Sequence, residues 1–310
     1  MTDISLSDLK GVGDATLVKL EEAGISTVMA LATSSPSEVS SVAGMSETVA
    51  RKLIKQARES LSLGFEKAKE HSKRRQSVQK ITTGSKSFDD MIGGGFESGT
   101  ITQVYGQFSS GKTQLSHLLC VRALLDSPDS KAIYLDTEST FREDRIRDFS
   151  EAFGLDPEDA LERIYVARAY NADHQELLAE EAEKILQKDS SYRFMVVDSL
   201  TSHYRAEFIG RGTLANRQQK LNKHMHQLLR MADLYNIVVL VTNQVMAKPD
   251  SFYGDPTAAI GGHIAAHNST FIIYMRPGKA GSRYAKLVDS PNLPNNECNF
   301  NITRNGFEDL

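Results

Sequence analysis

Residues 106–113 read GQFSSGKT, an uninterrupted match to the phosphate-binding pattern G-x-x-x-x-G-K-[ST]. The chemistry follows from the spacing. Beyond Gly106, small residues at Ser109, Ser110 and Gly111 let successive backbone N–H groups turn inward around phosphate oxygens, and a helix opening here points its positive end the same way. Lys112 then reaches the terminal phosphates of a nucleoside triphosphate, and Thr113 offers its hydroxyl to magnesium. Three more polar clusters end apolar runs. RFMVVDS (193–199) delivers Asp198, placed to share the metal with Thr113. YLDTESTF (134–141) delivers Asp136 and Glu138, and either carboxylate has the chemistry to orient and deprotonate a water in line with the terminal phosphate. VLVTNQV (239–245) delivers Asn243 and Gln244, whose amides either sense that phosphate or satisfy loop backbone. Spacing chooses neither between the acids nor between the roles of the amides.

These residues need elements to hold them. ITQVYG (101–106) is a buried-strand pattern, and QLSHLLCVRALL (114–125) repeats its apolar residues at helical spacing, so strand, loop and helix follow in the required order. Further strands are expected at 131–137, 163–168, 193–199, 236–244 and 269–276, with helical stretches between the first five. Continuous β-branched runs separated by amphipathic helices predict an α/β core over 81–310, built on a mostly parallel sheet covered on both faces. The segments 285–290 and 298–310 read as hairpin strands extending it. Ligands of such sheets sit at the carboxyl ends of the strands.

Ahead of the core, residues 1–60 read as short helices with a weak internal repeat. LKGVG (9–13) and VAGMS (42–46) each precede a helical segment, aligning Gly11 with Gly44 and Gly13 with Ser46. The pattern resembles paired helix-hairpin-helix motifs, which present backbone N–H groups to a nucleic-acid phosphate; a small bundle whose glycines cap helices is the alternative. Residues 61–80 are dense in Lys and Arg, the composition of an exposed linker, with Phe65 and Ala68 as apolar exceptions.

At 310 residues, about two domains are expected. A net charge of −4 excludes a uniformly basic nucleic-acid coat but permits a local basic groove. Cys120 and Cys298 suit neither a disulfide framework nor a metal cluster and are read as free thiols of a soluble, cytoplasmic protein. No apolar run approaches the ~20 residues of a membrane span.

GQFSSGKTQ, YLDTESTFREDRI, ARAYNADHQ, VVDSLTSHYRAEFIGRG, NRQQKL, TNQV, IGGHIAAHNST and DSPNLP together resemble the archaeal RadA recombinases, relatives of the eukaryotic strand-exchange recombinases and of bacterial RecA. The resemblance covers nearly the whole chain in order. It implies a RecA-like core that hydrolyses ATP with magnesium, polymerises as a helical filament or ring on single-stranded DNA, and exchanges it with homologous duplex DNA in recombinational repair. By similarity, Glu138 is the catalytic base, Asp198 the acid beside magnesium, and Gln244 the amide coupling the terminal phosphate to DNA. Gln114 joins the nucleotide contacts, and DSPNLP, with Asp289, Pro291 and Pro294, caps ATP from a neighbouring protomer. A monovalent cation is implied near His267 and Asp289. FEKA (65–68) fits the family's F-x-x-A oligomerisation motif, with Phe65 and Ala68 filling pockets on the next core.

Two segments match the family's DNA loops. YRAEFIGRGTLANRQQ (204–219) carries Arg205, Arg211 and Arg217, suited to phosphate by their forked donors. AKPDSFYGDPTAAIGGHI (247–264) carries Phe252 and Tyr253 to stack on bases, with Gly261 and Gly262 behind them. Recombination mediators are further partners implied. Gln107 and Ser109 depart from the usual Glu and Gly without removing a phosphate-binding group. A paralogue that assists loading, or a nucleotide-switched DNA-binding scaffold, are the competing readings.

Overall fold

The computed structural model describes residues 4–61, 63–208, 210–247, 257–259 and 262–310. The chain divides into two compact units, Met1–Ser77 and Val78–Leu310.

The first unit contains helices α1 (Asp14–Glu22), α2 (Val28–Thr33), α3 (Pro36–Ala43), α4 (Glu47–Ser60) and α5 (Ala68–Arg74). The starts of α2, α3 and α4 are set by side-chain caps. The Thr27 hydroxyl accepts from Ala30 N–H at 3.0 Å, and Ser46 from Val49 N–H at 3.3 Å. Ser35 and Glu38 cap each other, with Pro36 in the first turn. In α4, Ala50, Leu53, Ile54 and Ala57 recur at helical spacing and bury one face against Leu20, Leu31 and Val39. The repeat is real in three dimensions: Gly11 (φ +97°) and Gly44 (φ +59°) are both left-handed, and Gly13 and Ser46 are the caps of α1 and α4. Within the stretch read as linker, α5 forms, with the Glu70 carboxylate accepting from Lys67 N–H at 3.2 Å. Phe65 and Ala68 are both exposed, so Phe65 does not pack back on its own unit.

The second unit is built on one sheet with helices α6 (Lys86–Met91), α7 (Lys112–Leu124), α8 (Glu143–Ala152), α9 (Pro157–Glu162), α10 (Ala172–Lys188), α11 (Ser202–Glu207), α12 (Leu214–Tyr235) and α13 (Gly262–His267). Its strands are β3 (Thr100–Gly106), β4 (Lys131–Asp136), β5 (Ile164–Arg168), β6 (Tyr192–Asp198), β7 (Val238–Ala247), β8 (Thr257–Ala259), β9 (Phe271–Pro277), β10 (Arg283–Asp289), β11 (Glu297–Ile302) and β12 (Phe307–Asp309). A separate antiparallel pair, β1 (Lys80–Ile81) and β2 (Phe96–Glu97), precedes it. The order is β12-β11-β10-β9-β3-β7-β6-β4-β5, with β8 paired to β7. From β9 to β5 the strands run parallel, while β10, β11 and β12 extend the sheet antiparallel. Every strand expected in the core forms; β1, β2 and β8 were not expected, because two or three residues carry no periodicity.

The apolar runs are continuous because both faces are buried. Val238 and Leu240 enter one core, with Val104, Val196 and Ile273, under α7 (Lys112–Leu124) and α8 (Glu143–Ala152). Val239 and Val241 enter the other, with Ile101, Met195 and Val197, under α10 (Ala172–Lys188) and α12 (Leu214–Tyr235).

That second core contains a polar pair. Gln175 donates from Nε2 to Leu200 O at 3.1 Å and to His224 Nε2 at 3.3 Å. Burial pushes His224 down from its ordinary 6.5 to about 4, so the folded chain holds it neutral. The unfolded chain takes up this proton first as pH falls, so the stability tied to neutral His224 is complete above the ordinary value and lost on the way down to the lowered one. We expect denaturant unfolding of the core to show about 2 kcal/mol less stability at about pH 5 than at about pH 7 from this residue, and a smaller slope in His224→Gln.

Candidate nucleotide site

Parallel register brings the polar strand ends to one edge. Gly106 pairs with Gln244 and Met275, Asp136 with Asp198, and Val197 with Val241, which puts Asp198 level with Thr242. The phosphate loop leaves β3 at this edge and closes into α7 at Lys112, with Gly111 as its cap at φ +103°. Gly106 has no room for a side chain, since a Cβ there would lie 1.9 Å from Met275 O. Lys112 Nζ donates to the carbonyls of Gly106 and Gln107, each at 2.9 Å, and to Ser110 Oγ at 3.3 Å. Burial lowers the Lys112 pKa, opposed by the nearby carboxylates of Asp198 and Glu138. An ammonium leaning on carbonyls at the N-terminus of a long helix is the donor set that phosphate oxygens require.

The two acids at and just beyond the end of β4 have different jobs. Asp136 is buried and spent on backbone: it accepts from Glu138 N–H at 3.0 Å and from Thr140 and Phe141 N–H at 3.2 Å. Glu138 is exposed at the edge, and its Oε1 accepts from Ser199 Oγ at 2.7 Å and Gln244 Nε2 at 2.9 Å. Gln244 Oε1 in turn accepts from Arg205 Nη1 at 3.2 Å. The amides separate in the same way, because buried Asn243 accepts from the Thr201 hydroxyl and from Gln244 N–H. Asp198 accepts from Tyr134 OH at 2.7 Å and from the Thr242 hydroxyl, leaving carboxylate lone pairs uncommitted. Among the described residues, no group of three or more His, Cys, Asp or Glu side chains comes together to hold a metal. A hydroxyl and one carboxylate, Thr113 and Asp198, fit magnesium, which keeps several waters and takes phosphate oxygens.

The other expected residues are placed as follows. Arg205 is exposed on a short helix (Ser202–Glu207) whose Tyr204 is buried and donates to Glu176 at 2.9 Å, so Tyr204 roots the segment rather than meeting a ligand. Arg211 opens a 3-10 turn (Arg211–Thr213), and Arg217 lies on α12, so the first segment is largely helical. Gly262 starts the helix that ends at His267; Phe252, Tyr253 and Gly261 lie outside the described residues. Gln114 accepts from Arg145 Nε at 2.6 Å, and Arg145 also donates to Arg304 O at 3.0 Å, walling the loop's flank. DSPNLP is elsewhere: β10 runs back, so Asp289 pairs with Ile272, which is level with Gln103 rather than with Gly106. Asp289, Pro291 and Pro294 are exposed toward the amino ends of the parallel strands, away from their own phosphate loop.

Sequence reasoning missed Tyr134, Ser199, Thr242 and Arg145. A threonine inside the apolar run VVLVT was the available signal, because a buried hydroxyl needs a partner; Tyr134 reads as ordinary core.

Ser109 holds φ +61°, a left-handed conformation that a side chain resists. We expect Ser109→Gly to stabilise the core by about 0.5–1 kcal/mol after the extra freedom of glycine in the unfolded chain is subtracted. Chemical denaturation checks this; a loss of stability would mean that the serine side chain holds the loop.

Comparison with known proteins agrees with this geometry. Residues 74–310 match the Rad51 family, and residues 3–59 match the SAM-like helix-hairpin-helix tandem. The chain is 47% identical over 309 residues to the DNA repair and recombination protein RadA of Metallosphaera sedula, covering 98% of this chain and 95% of that protein. A phosphate loop, a carboxylate poised at the next strand end and a match across the entire core make the conclusion direct: the chain belongs to the Rad51 family.

Proposed function

We propose that this protein is a DNA-dependent ATPase that assembles on single-stranded DNA and carries out homologous pairing and strand exchange in recombinational repair. The observation that carries this reading is the hydrogen-bonded line Glu138–Gln244–Arg205, which joins a hydrolytic carboxylate to an exposed arginine in a segment resembling the family's DNA loop. The near full-length similarity to a protein named for DNA repair and recombination supports it.

In this reading the loop amides and Lys112 hold the triphosphate, and Thr113 and Asp198 hold magnesium. The metal would neutralise charge on the phosphate oxygens. Glu138 orients water for in-line attack and takes its proton, held in place by Ser199 and Gln244. A phosphate of DNA that engages Arg205 competes with Gln244 for its guanidinium, so DNA occupancy alters the hydrogen bonding of Glu138. Arg211, Arg217 and the segment carrying Phe252 and Tyr253 complete the DNA surface.

Assembly follows from exposed apolar groups and from the position of DSPNLP. Phe65 and Phe108 are almost fully exposed, and β5, an edge strand, exposes Tyr165 and Val166. We assign the β5 edge as the seat of a neighbour's 65–68 segment, added as a strand with Phe65 buried beside it. The prolines of DSPNLP would then close the nucleotide site of an adjacent copy. Asp289 suits a monovalent cation by its carboxylate, whereas the imidazole of His267 is a poor ligand for so hard an ion.

ATP hydrolysis with and without single-stranded DNA, beside a joint-molecule assay, tests the reading. Stimulation together with joint molecules is expected. Stimulation alone would favour a loading paralogue, and no turnover a scaffold. Glu138→Gln should lower kcat by at least about 100-fold with little change in KM. Phe65→Glu should abolish filaments in electron micrographs, because an unpaired charge cannot enter an apolar seat; long filaments in that variant would refute the assignment.

A further inference from the structure

We propose that His117 is a positioning residue that ties the phosphate-loop helix to the segment carrying Glu138. It lies one turn into α7 and is buried, where packing alone would accept an aliphatic residue. Both ring nitrogens are instead used. Nδ1 is 2.6 Å from Thr113 O, and Nε2 accepts from Arg142 N–H at 3.0 Å. A carbonyl only accepts and an amide only donates, so both bonds form together only in the neutral ring with its proton on Nδ1.

The bonds join two parts of the site that no strand ladder joins. Residues 138–142 leave β4 as a loop in which Asp136 gathers the N–H groups of Glu138, Thr140 and Phe141. Asp136 thereby ties the loop to its own strand. The next N–H, of Arg142, goes to His117, which ties the loop to α7 and, through Thr113 O, to the phosphate loop. The imidazole also stacks on Phe141 (centroids 5.3 Å, 24°) and lies against Tyr134 (5.3 Å), whose hydroxyl holds Asp198. One side chain therefore touches the phosphate loop, the segment that places Glu138 and the tyrosine that orients the metal-side acid. Small displacements between attacking water and terminal phosphate are costly to rate, so such a tie sets kcat more than nucleotide affinity.

The inference rests on Glu138 acting as base. The full chain is compared as wild type, His117→Asn and His117→Gln, with folding checked by circular dichroism. Asparagine keeps an N–H where Nδ1 faces Thr113 O but loses the acceptor for Arg142. Glutamine keeps an oxygen where Nε2 stood. We expect His117→Asn to lose kcat by about tenfold or more with nucleotide affinity within about threefold, and His117→Gln to recover most of the rate. Nitrogen-15 NMR of the full-length wild-type chain should show the Nδ1–H tautomer. Equal rates in all three proteins, equal losses in both variants, or an Nε2–H tautomer would overturn the proposal. Absence of turnover in the wild type would instead refute the base role of Glu138, while the NMR tautomer still decides the His117 bonds.

Discussion

Parallel register is the constraint on which the site depends. Because β4, β6, β7 and β3 lie side by side and run parallel, Asp136, Asp198, Gln244 and Gly106 come toward one edge although they are scattered through the chain. The register is specified by burial. Alternate residues of β7 enter opposite cores, so a slip by one residue would exchange the two faces and misplace every group at the edge. Two polar groups inside these strands, Thr242 and Tyr134, are satisfied by donating to Asp198.

Within that edge the chemistry is divided by hydrogen bonding rather than by residue type. Two carboxylates lie at and just beyond the end of β4, and the one that collects backbone N–H groups is thereby excluded from meeting water. Two amides lie within β7, which runs on to Ala247 rather than ending at them as expected, and the buried one, Asn243, is committed to Thr201. What remains available, Glu138 and Gln244, is bonded together and to Arg205. A carboxylate that shares its proton-accepting oxygen with a serine and an amide is held at one angle but is not isolated from the surface. In the proposed reading this is what coupling would consist of: a chain of contacts whose far end, Arg205, is an exposed cation that a polyanion would engage.

Much of this was legible in the sequence. GQFSSGKT announces its conformation because Gly106 and Gly111 are required by close approach and by φ, and the continuous β-branched runs announce burial on both faces. The paired glycines at 11 and 44 likewise recur as left-handed turns. Roles settled by contact across strands were not legible from spacing. Asp136 and Glu138 are indistinguishable two residues apart until Asp198–Ser199 lies alongside them, and His117 reads as one more residue in a helix. DSPNLP could be recognised by likeness, yet only the antiparallel return of β10 shows that it faces away from its own nucleotide loop.

In the proposed mechanism DNA reaches Glu138 through Arg205 and Gln244 acting as one unit. A double-mutant cycle on the stimulation of ATP hydrolysis by single-stranded DNA tests it most directly, using Arg205→Ala, Gln244→Ala and the double variant. Non-additivity is expected, with the double variant losing no more stimulation than the more affected single variant. Losses that add in free energy would show two independent routes and contradict it.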